Sequence, residues 1–147
     1  MGASSFSRFL GIFLAVHCLY PEAVVGVAPT ELLSANVSGS VTLSCAQRNA
    51  DGGRVRWYHE GAARYLTLNR AVQAGLPADL ARRLEVVGDP LLGRFDLRLD
   101  DLRRSDSGEY SCLFAPPLDL NRPVALATLT VHVPPDAASA RADTSSV

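Results

Sequence analysis

The sequence has no excess of positive charge and contains no lysine. Its 147 residues include 14 arginines and 15 acidic residues, which gives a formal net charge of -1. Binding to a nucleic-acid backbone or to an anionic membrane surface relies on a basic patch or run, and the chain has none. We therefore expect neither nucleic acid nor a membrane surface as a partner.

Residues that commonly carry catalysis are scarce as well. Beyond residue 26, the histidines and cysteines are His59, His132, Cys45 and Cys112. No spacing of potential ligands matches a metal site, and no base accompanies a candidate nucleophile. We predict a protein that is not an enzyme and that uses no cofactor and no metal.

An apolar run long enough to span a bilayer is also missing. Residues 9–19 form a block of roughly 11 apolar residues, whereas a transmembrane helix needs about 20. Arg8 precedes the block, and Pro21 and small residues follow it, which is typical of a cleaved secretory signal. We predict a signal peptide at 1–26, one domain at 27–133, and a flexible polar tail or the start of a stalk at 134–147. The chain is then secreted, or it is the ectodomain of a membrane protein if the sequence is truncated.

Several segments alternate apolar and polar residues. Residues 41–45, 95–99 and 129–133 have an apolar residue at every second position, which is typical of strands with one buried face. In the second of these, Asp96 and Arg98 are expected to face outward. Turn-forming residues separate the segments. The pattern predicts an all-β fold, a two-sheet antiparallel sandwich of about seven to nine short strands.

Two cysteines and two aromatic residues are spaced to hold such a sandwich together. In an oxidising compartment, Cys45 and Cys112 predict one disulfide. Trp57 follows Cys45 by 12 residues, on the next strand, where its indole can pack against that disulfide. Tyr110 shares the inward face with Cys112, and its hydroxyl can bond backbone slightly upstream.

Three segments resemble the variable-type (V-set) domains of the immunoglobulin superfamily. Residues 39–45 read Gly-Ser-Val-Thr-Leu-Ser-Cys, residues 55–58 read Val-Arg-Trp-Tyr, and residues 99–112 read Leu-Asp-Asp-Leu-Arg-Arg-Ser-Asp-Ser-Gly-Glu-Tyr-Ser-Cys. The resemblance covers nearly the whole chain beyond the signal. It implies an immunoglobulin-like sandwich with extra strands between the strands named C and D.

The resemblance assigns further elements. It implies a C′ strand at residues 64–69 and a short C″ strand or a loop at residues 71–80. It also implies that Asp106 pairs with an arginine at the start of strand D, for which Arg83 is the best match and Arg82 the second.

Strand G departs from the pattern of rearranged antigen receptors. Those receptors continue into this strand through Phe or Trp followed by Gly-x-Gly, which forms a bulge. Residues 121–133 contain no glycine. The chain is therefore more similar to non-rearranging receptors or ligands of the butyrophilin-like and inhibitory-receptor kind.

Alternation also indicates which side chains are available for binding. The outward side chains of the sheet formed by strands G, F, C and C′ make up the GFCC′ face. The loop between strands F and G (the FG loop) is stiffened by proline and carries two leucines. These leucines either are exposed or cover the end of the core. Arginine and tyrosine are enriched in protein interfaces, although a solvated sheet face without a partner is the alternative. The candidate partner-binding residues are Arg56, Tyr58, Tyr65, Leu113, Leu118 and Leu120.

These features favour an extracellular protein–protein recognition module, in immune regulation or cell adhesion. Its partner would be a cell-surface or soluble protein, and a homodimer or heterodimer could form through the GFCC′ face. The alternative is a secreted domain that binds glycans or microbial surfaces. Asn36 begins an Asn-Val-Ser acceptor for N-glycosylation in an exported chain.

Overall fold

The computed structural model describes residues 28–135, and most of them lie in short β-strands. A single helical turn, α1 (Ala78–Ala81), and two 3-10 turns, Pro90–Leu92 and Arg104–Asp106, complete the regular structure of that range. The strands are β1 (Thr30–Asn36), β2 (Val41–Leu43), β3 (Arg54–His59), β4 (Arg64–Tyr65), β5 (Thr67–Leu68), β6 (Ala71–Val72), β7 (Leu84–Val87), β8 (Asp96–Leu99), β9 (Gly108–Ala115) and β10 (Arg122–His132).

The strands form two main sheets that enclose the core. One sheet has the order β1-β10-β9-β3-β4 and the other has the order β2-β8-β7, while β5 and β6 form a separate ribbon. The pairs are antiparallel except that β1 runs parallel to β10. The predicted all-β sandwich is confirmed, with β3, β4, β9 and β10 in the places of strands C, C′, F and G.

A disulfide and a buried tryptophan join the sheets. Cys45, just after β2, is bonded to Cys112 in β9, so the predicted disulfide is confirmed. Trp57 lies opposite Cys112 in the β3–β9 register and is fully buried. Its indole nitrogen donates a hydrogen bond to the carbonyl of Phe95 over 2.7 Å, which satisfies its polar atom inside the core.

The segment predicted as one C′ strand is divided. Tyr65 in β4 pairs with Tyr58, but Leu66 is buried and its N–H bonds to the carbonyl of Trp57. Asn69 then adopts a left-handed backbone (φ 52°), and its side chain accepts a hydrogen bond from the N–H of Val55. Asparagine tolerates this conformation, so the chain reverses here and β5 pairs with β6.

Strand β10 contains an irregularity although it lacks glycine. Its register with β9 shifts between Pro123 and Ala125. Pro123 has no N–H to donate to the ladder, which favours a break in regular pairing at this point. Strand β10 therefore has a break in its regular pairing even though it lacks the Gly-x-Gly bulge of rearranged antigen receptors.

Asp96 is buried, contrary to the prediction that it faces outward. It is 9% exposed, and its carboxylate accepts a hydrogen bond from the N–H of Cys45 over 2.8 Å. It also accepts hydrogen bonds from Arg94. Because β2 ends at Leu43, the backbone N–H of Cys45 is bonded by this side chain rather than by a strand. Arg98, by contrast, is exposed as predicted.

Candidate recognition face

The alternation of β3 determines which side chains reach the outer face of the five-stranded sheet. Val55, Trp57 and His59 are buried, so Arg56 and Tyr58 point outward and are half-buried among their neighbours. The half-buried neighbours across the sheet are Leu113, which lies opposite Arg56 in β9, and Tyr65, which lies opposite Tyr58 in β4. The structure thus brings four of the predicted binding residues together on one face.

Two aromatic rings and one guanidinium form a cluster on this face. The rings of Tyr58 and Tyr65 lie edge to face, with centroids 5.0 Å apart. The guanidinium carbon of Arg56 is 4.9 Å from the centroid of the Tyr65 ring, which is the geometry of a cation–π contact. Asn121 donates a hydrogen bond to the Tyr65 hydroxyl. These contacts restrict the rotamers of the cluster before any partner binds.

The FG loop presents its leucines to solvent. Leu118 is fully exposed and Leu120 is 84% exposed, so neither covers the end of the core. Leu118 has a left-handed backbone (φ 62°), and the N–H of Asp119 bonds to the carbonyl of Pro116. The Asp119 carboxylate accepts a hydrogen bond from the N–H of Leu120. The loop is therefore a compact turn with two apolar side chains at its surface.

A buried ion pair lies at the opposite end of the sandwich from the FG loop. The Arg83 Nη1 and Nη2 atoms donate to the two carboxylate oxygens of Asp106 over 2.7 Å and 3.1 Å. Asp106 also accepts a hydrogen bond from the N–H of Arg103, and the Tyr110 hydroxyl donates to its backbone carbonyl. The second candidate, Arg82, is exposed and pairs with Asp79 instead of Asp106.

His59 lies beside this ion pair. Its ring stacks on that of Tyr110 with centroids 4.3 Å apart, and its Nε2 atom is buried without a hydrogen-bond partner among the described residues. Burial lowers the pKa of His59 below its ordinary value, and nearby Arg64 adds to this shift. The Ser107 backbone and the Asp106 carboxylate oppose it. The structure therefore favours a neutral imidazole.

Lowering the pH from about 7.5 to about 5 is expected to destabilise the domain through His59. The unfolded chain takes up a proton near the ordinary pKa of 6.5, whereas the folded pKa is lower. Between these two pKa values the unfolded state binds more protons, so the free energy of unfolding falls as the pH falls. Above the unfolded pKa this contribution is constant.

Thermal midpoints measured across this pH range check the prediction. His59→Gln should flatten the dependence, and His132→Gln, at an exposed position on β10, should preserve it. An unchanged slope in His59→Gln would contradict the assignment.

Asn36 is exposed at the end of β1 and lies opposite His132 in β10. The predicted signal peptide at 1–26 lies outside the described residues, as does the tail from residue 136. No helix within residues 28–135 is both long and apolar enough to cross a membrane.

Sequence reasoning missed a groove beside the C′ strand. It lies between the edge of the GFCC′ face and the segment 73–77, which follows β6, and both Arg56 and Arg64 line it. We call it the C′ groove. Its formation depends on the reversal at Asn69, after which residues 73–77 lie beside β4. No local pattern in the sequence indicates this arrangement.

Comparison with known proteins agrees with this architecture. The sequence matches the family model of the immunoglobulin V-set domain over residues 27–133. It is also 32% identical over 143 residues to the V-set and immunoglobulin domain-containing protein 2 of Mus musculus. That match covers 86% of this chain and 43% of the mouse protein, so the chain spans less than half the length of this relative.

Solved structures with a similar fold include three immunoglobulin-domain proteins. Duf (Kirre) D1 is 26% identical with a TM-score of 0.58, and the match covers 74% of this chain and 95% of that one. Rst D1-D2 is 24% identical with a TM-score of 0.59, and the match covers 76% and 49%. Dpr11 IG1 bound to DIP-gamma is 20% identical with a TM-score of 0.58, and the match covers 74% and 50%.

Proposed function

The chain belongs to the immunoglobulin V-set family, whose domains are typically extracellular recognition modules rather than enzymes, and from this premise we propose that it recognises a protein partner in immune regulation or cell adhesion. The partner is a cell-surface or soluble protein. The chain itself is secreted or is an ectodomain. Binding runs through the GFCC′ face and the FG loop.

The observation that carries this proposal is the cluster of Arg56, Tyr58 and Tyr65 on rigid strands. Tyrosine and arginine supply much of the binding energy in protein interfaces, and side chains that are already held lose less entropy on binding. Leu113 adds a half-buried apolar neighbour, and the FG loop extends the surface with exposed Leu118 and Leu120. Together they combine a partly desolvated centre with an apolar edge.

The outer face of the opposite sheet has a different character. Its outward side chains include Thr42 in β2, Glu85 in β7 and Arg98 in β8. Arg98 is paired with Asp100 over 2.9 Å, so its charge is already matched within the chain. This polar surface lacks the aromatic anchors that favour a protein interface.

The candidate N-glycan would leave the recognition face open. Because β1 and β10 run parallel, Asn36 lies beside His132 at the far end of β10 from the FG loop. At about 3.3 Å per residue, the two ends of β10 are on the order of 30 Å apart. We propose that Asn36 carries a glycan at this distal edge.

A single domain of this size buries a small area and binds with modest affinity, which clustering on cells increases through avidity. The same face could also mediate a homodimer or heterodimer of V-set domains. The structurally similar domain Dpr11 IG1 is bound to DIP-gamma, which supports a protein as the class of partner.

Arg56→Ala, Tyr58→Ala and the pair Leu118→Ser/Leu120→Ser should each lose most binding to partner-bearing cells. Truncating interface anchors of this kind typically costs about 1 to 4 kcal/mol, which is roughly a fivefold to 700-fold loss in affinity. Binding of the tetramerised protein to cells measures the effect, and thermal midpoints should be nearly unchanged because these side chains lie outside the core.

Arg98→Ala is the matched control, since it removes an exposed arginine from the opposite sheet. Asp96 is unsuitable for this purpose because it is buried and bonded to Cys45. If Arg98→Ala abolishes binding and Tyr58→Ala does not, the face is wrongly assigned. If soluble glycans compete the cell signal away, the alternative of a glycan- or microbial-surface-binding domain replaces a protein partner.

A further inference from the structure

The C′ groove has a composition that points to the chemistry of its ligand. It has a volume of about 590 Å³ and is open to solvent along β4. Two arginines, Arg56 and Arg64, line it together with Tyr65 and Gln73, and its remaining wall is apolar, including Leu76. No acidic residue is among the lining residues. The groove is therefore positively charged although the chain as a whole is nearly neutral.

The two arginines are not neutralised within the described part of the chain. Neither the Arg56 side chain nor the Arg64 side chain forms a hydrogen bond or ion pair with a residue in 28–135, although both backbones take part in strand pairing. Several arginines elsewhere in the fold are paired with aspartate, among them Arg82, Arg83, Arg94, Arg98 and Arg103. Two unpaired guanidinium groups at one groove leave a local charge that an anionic group can match.

Arg56 is also prepared to receive such a group. Its Nε atom is buried and has no hydrogen-bond partner among the described residues, which leaves a donor unsatisfied. Its guanidinium is held over the Tyr65 ring, so part of the side-chain entropy is already lost before binding. An acceptor in the groove can bond to the Nη atoms of this guanidinium, which are not buried and also lack a partner within residues 28–135.

We propose that the C′ groove binds a carboxylate of the partner protein, the side chain of an aspartate or glutamate that contacts Arg56 and Arg64. The inference rests on the proposed function, because it takes the ligand to be a protein, and it adds the chemical class that the partner presents at this edge of the GFCC′ face. A carboxylate can accept two hydrogen bonds from one guanidinium.

The lining favours an acidic side chain over an acidic sugar. A sugar presents hydroxyl groups that donate as well as accept, and a site for it normally supplies acceptors such as carboxylates. In this groove Gln73 is the one side-chain amide, and the apolar part includes Leu68, Leu76 and Pro77. That surface suits the aliphatic part of a glutamate and the apolar residues beside it.

Arginine side-chain NMR spectra of the full 15N-labelled chain test the proposal. The probe is the capped peptide acetyl-Gly-Glu-Gly-amide, and the control probe is acetyl-Gly-Gln-Gly-amide, which has nearly the same shape without the charge. We expect saturable shifts of the Arg56 and Arg64 Nε signals with the glutamate peptide only. Arg64→Gln and Arg56→Gln should each weaken peptide binding about tenfold, as the loss of a charge-assisted hydrogen bond predicts.

Arg98 is the internal control, because it is exposed on the other sheet and already paired with Asp100. Equal responses to the two peptides, or an Arg98 shift as large as that of Arg56, would overturn the carboxylate site. Displacement of the peptide by N-acetylneuraminic acid or inorganic sulfate at lower concentration would overturn the assignment to a protein side chain.

The proposed function is tested separately by cell binding of Tyr58→Ala and the FG-loop variant. If those variants lose cell binding but the wild-type chain shows no response to the peptide, the groove proposal is rejected and the recognition face is retained. If the wild-type chain responds to the peptide but those variants bind cells normally, the groove chemistry is retained and the recognition face is rejected.

Discussion

Cys45→Ala is expected to lower the free energy of unfolding by about 4 kcal/mol, which is the chain-entropy value for a disulfide that closes a long loop. The bond joins residues separated by 67 positions, so its loss releases a large part of the unfolded chain. Typical domains are stable by only about 5 to 15 kcal/mol. Cells expressing the variant should therefore export little folded protein, as measured by the yield of native monomer in the medium.

The double variant Cys45→Ala/Cys112→Ala is the control for an unpaired thiol. It should be as unstable as the single variant, because both lack the same bond between the sheets. Trp57 lies opposite Cys112, so either variant also disturbs its packing. A wild-type urea midpoint in both variants, or two free thiols in mass spectra of the exported wild-type chain, would contradict the structural role of this disulfide.

The strands that form the centre of the sandwich could be predicted from sequence because their signal is local. An apolar residue at every second position places Trp57 inward and Arg56 and Tyr58 outward without any knowledge of the rest of the chain. The same parity turns Tyr110 and Cys112 inward on β9. The binding face was therefore predictable as a set of outward residues on paired strands.

Features that depend on distant segments could not be predicted in this way. Asp96 fits the polar phase of its strand, yet it is buried because the N–H of Cys45, 51 residues earlier, needs an acceptor. The C′ segment reads as one strand, but β4 ends at Tyr65, and Leu66 is buried with its N–H bonded to the carbonyl of Trp57. Periodicity carries no information about either contact, since both are fixed by packing between elements.

The C′ groove illustrates the same limit for the candidate site. The parity of β3 places Arg56 on the face, and the C′ strand implied by the resemblance adds Tyr65, but the opposing wall comes from residues 73–77, beyond the reversal. The sequence there contains Gly75 and Pro77, which indicate a loop without indicating where it packs. The charge of the groove follows from that placement and not from the composition of any one segment.

Arg83→Ala is expected to lower the free energy of unfolding by about 3 to 5 kcal/mol, the usual cost of removing one partner of a buried ion pair. Both side chains are only 6% exposed, and two hydrogen bonds join the guanidinium to the Asp106 carboxylate. Without Arg83 that carboxylate remains buried and retains the N–H of Arg103 as its main donor. Urea unfolding of the purified variant measures the loss.

Arg64→Ala and Arg98→Ala are the comparison variants, because both remove exposed arginines, and their urea midpoints should remain close to that of the wild type.

The double variant Arg83→Met/Asp106→Asn distinguishes the charge from the packing. Methionine retains much of the buried volume, and asparagine retains an acceptor for Arg103 without a charge that needs a cation. The double variant should therefore be more stable than Arg83→Met alone, because no carboxylate is left buried without its partner. Equal urea midpoints for Arg83→Ala and the two comparison variants would show that the ion pair does not stabilise the fold. If the double variant is no more stable than Arg83→Met, the unpaired charge of Asp106 is not the cause of the lost stability.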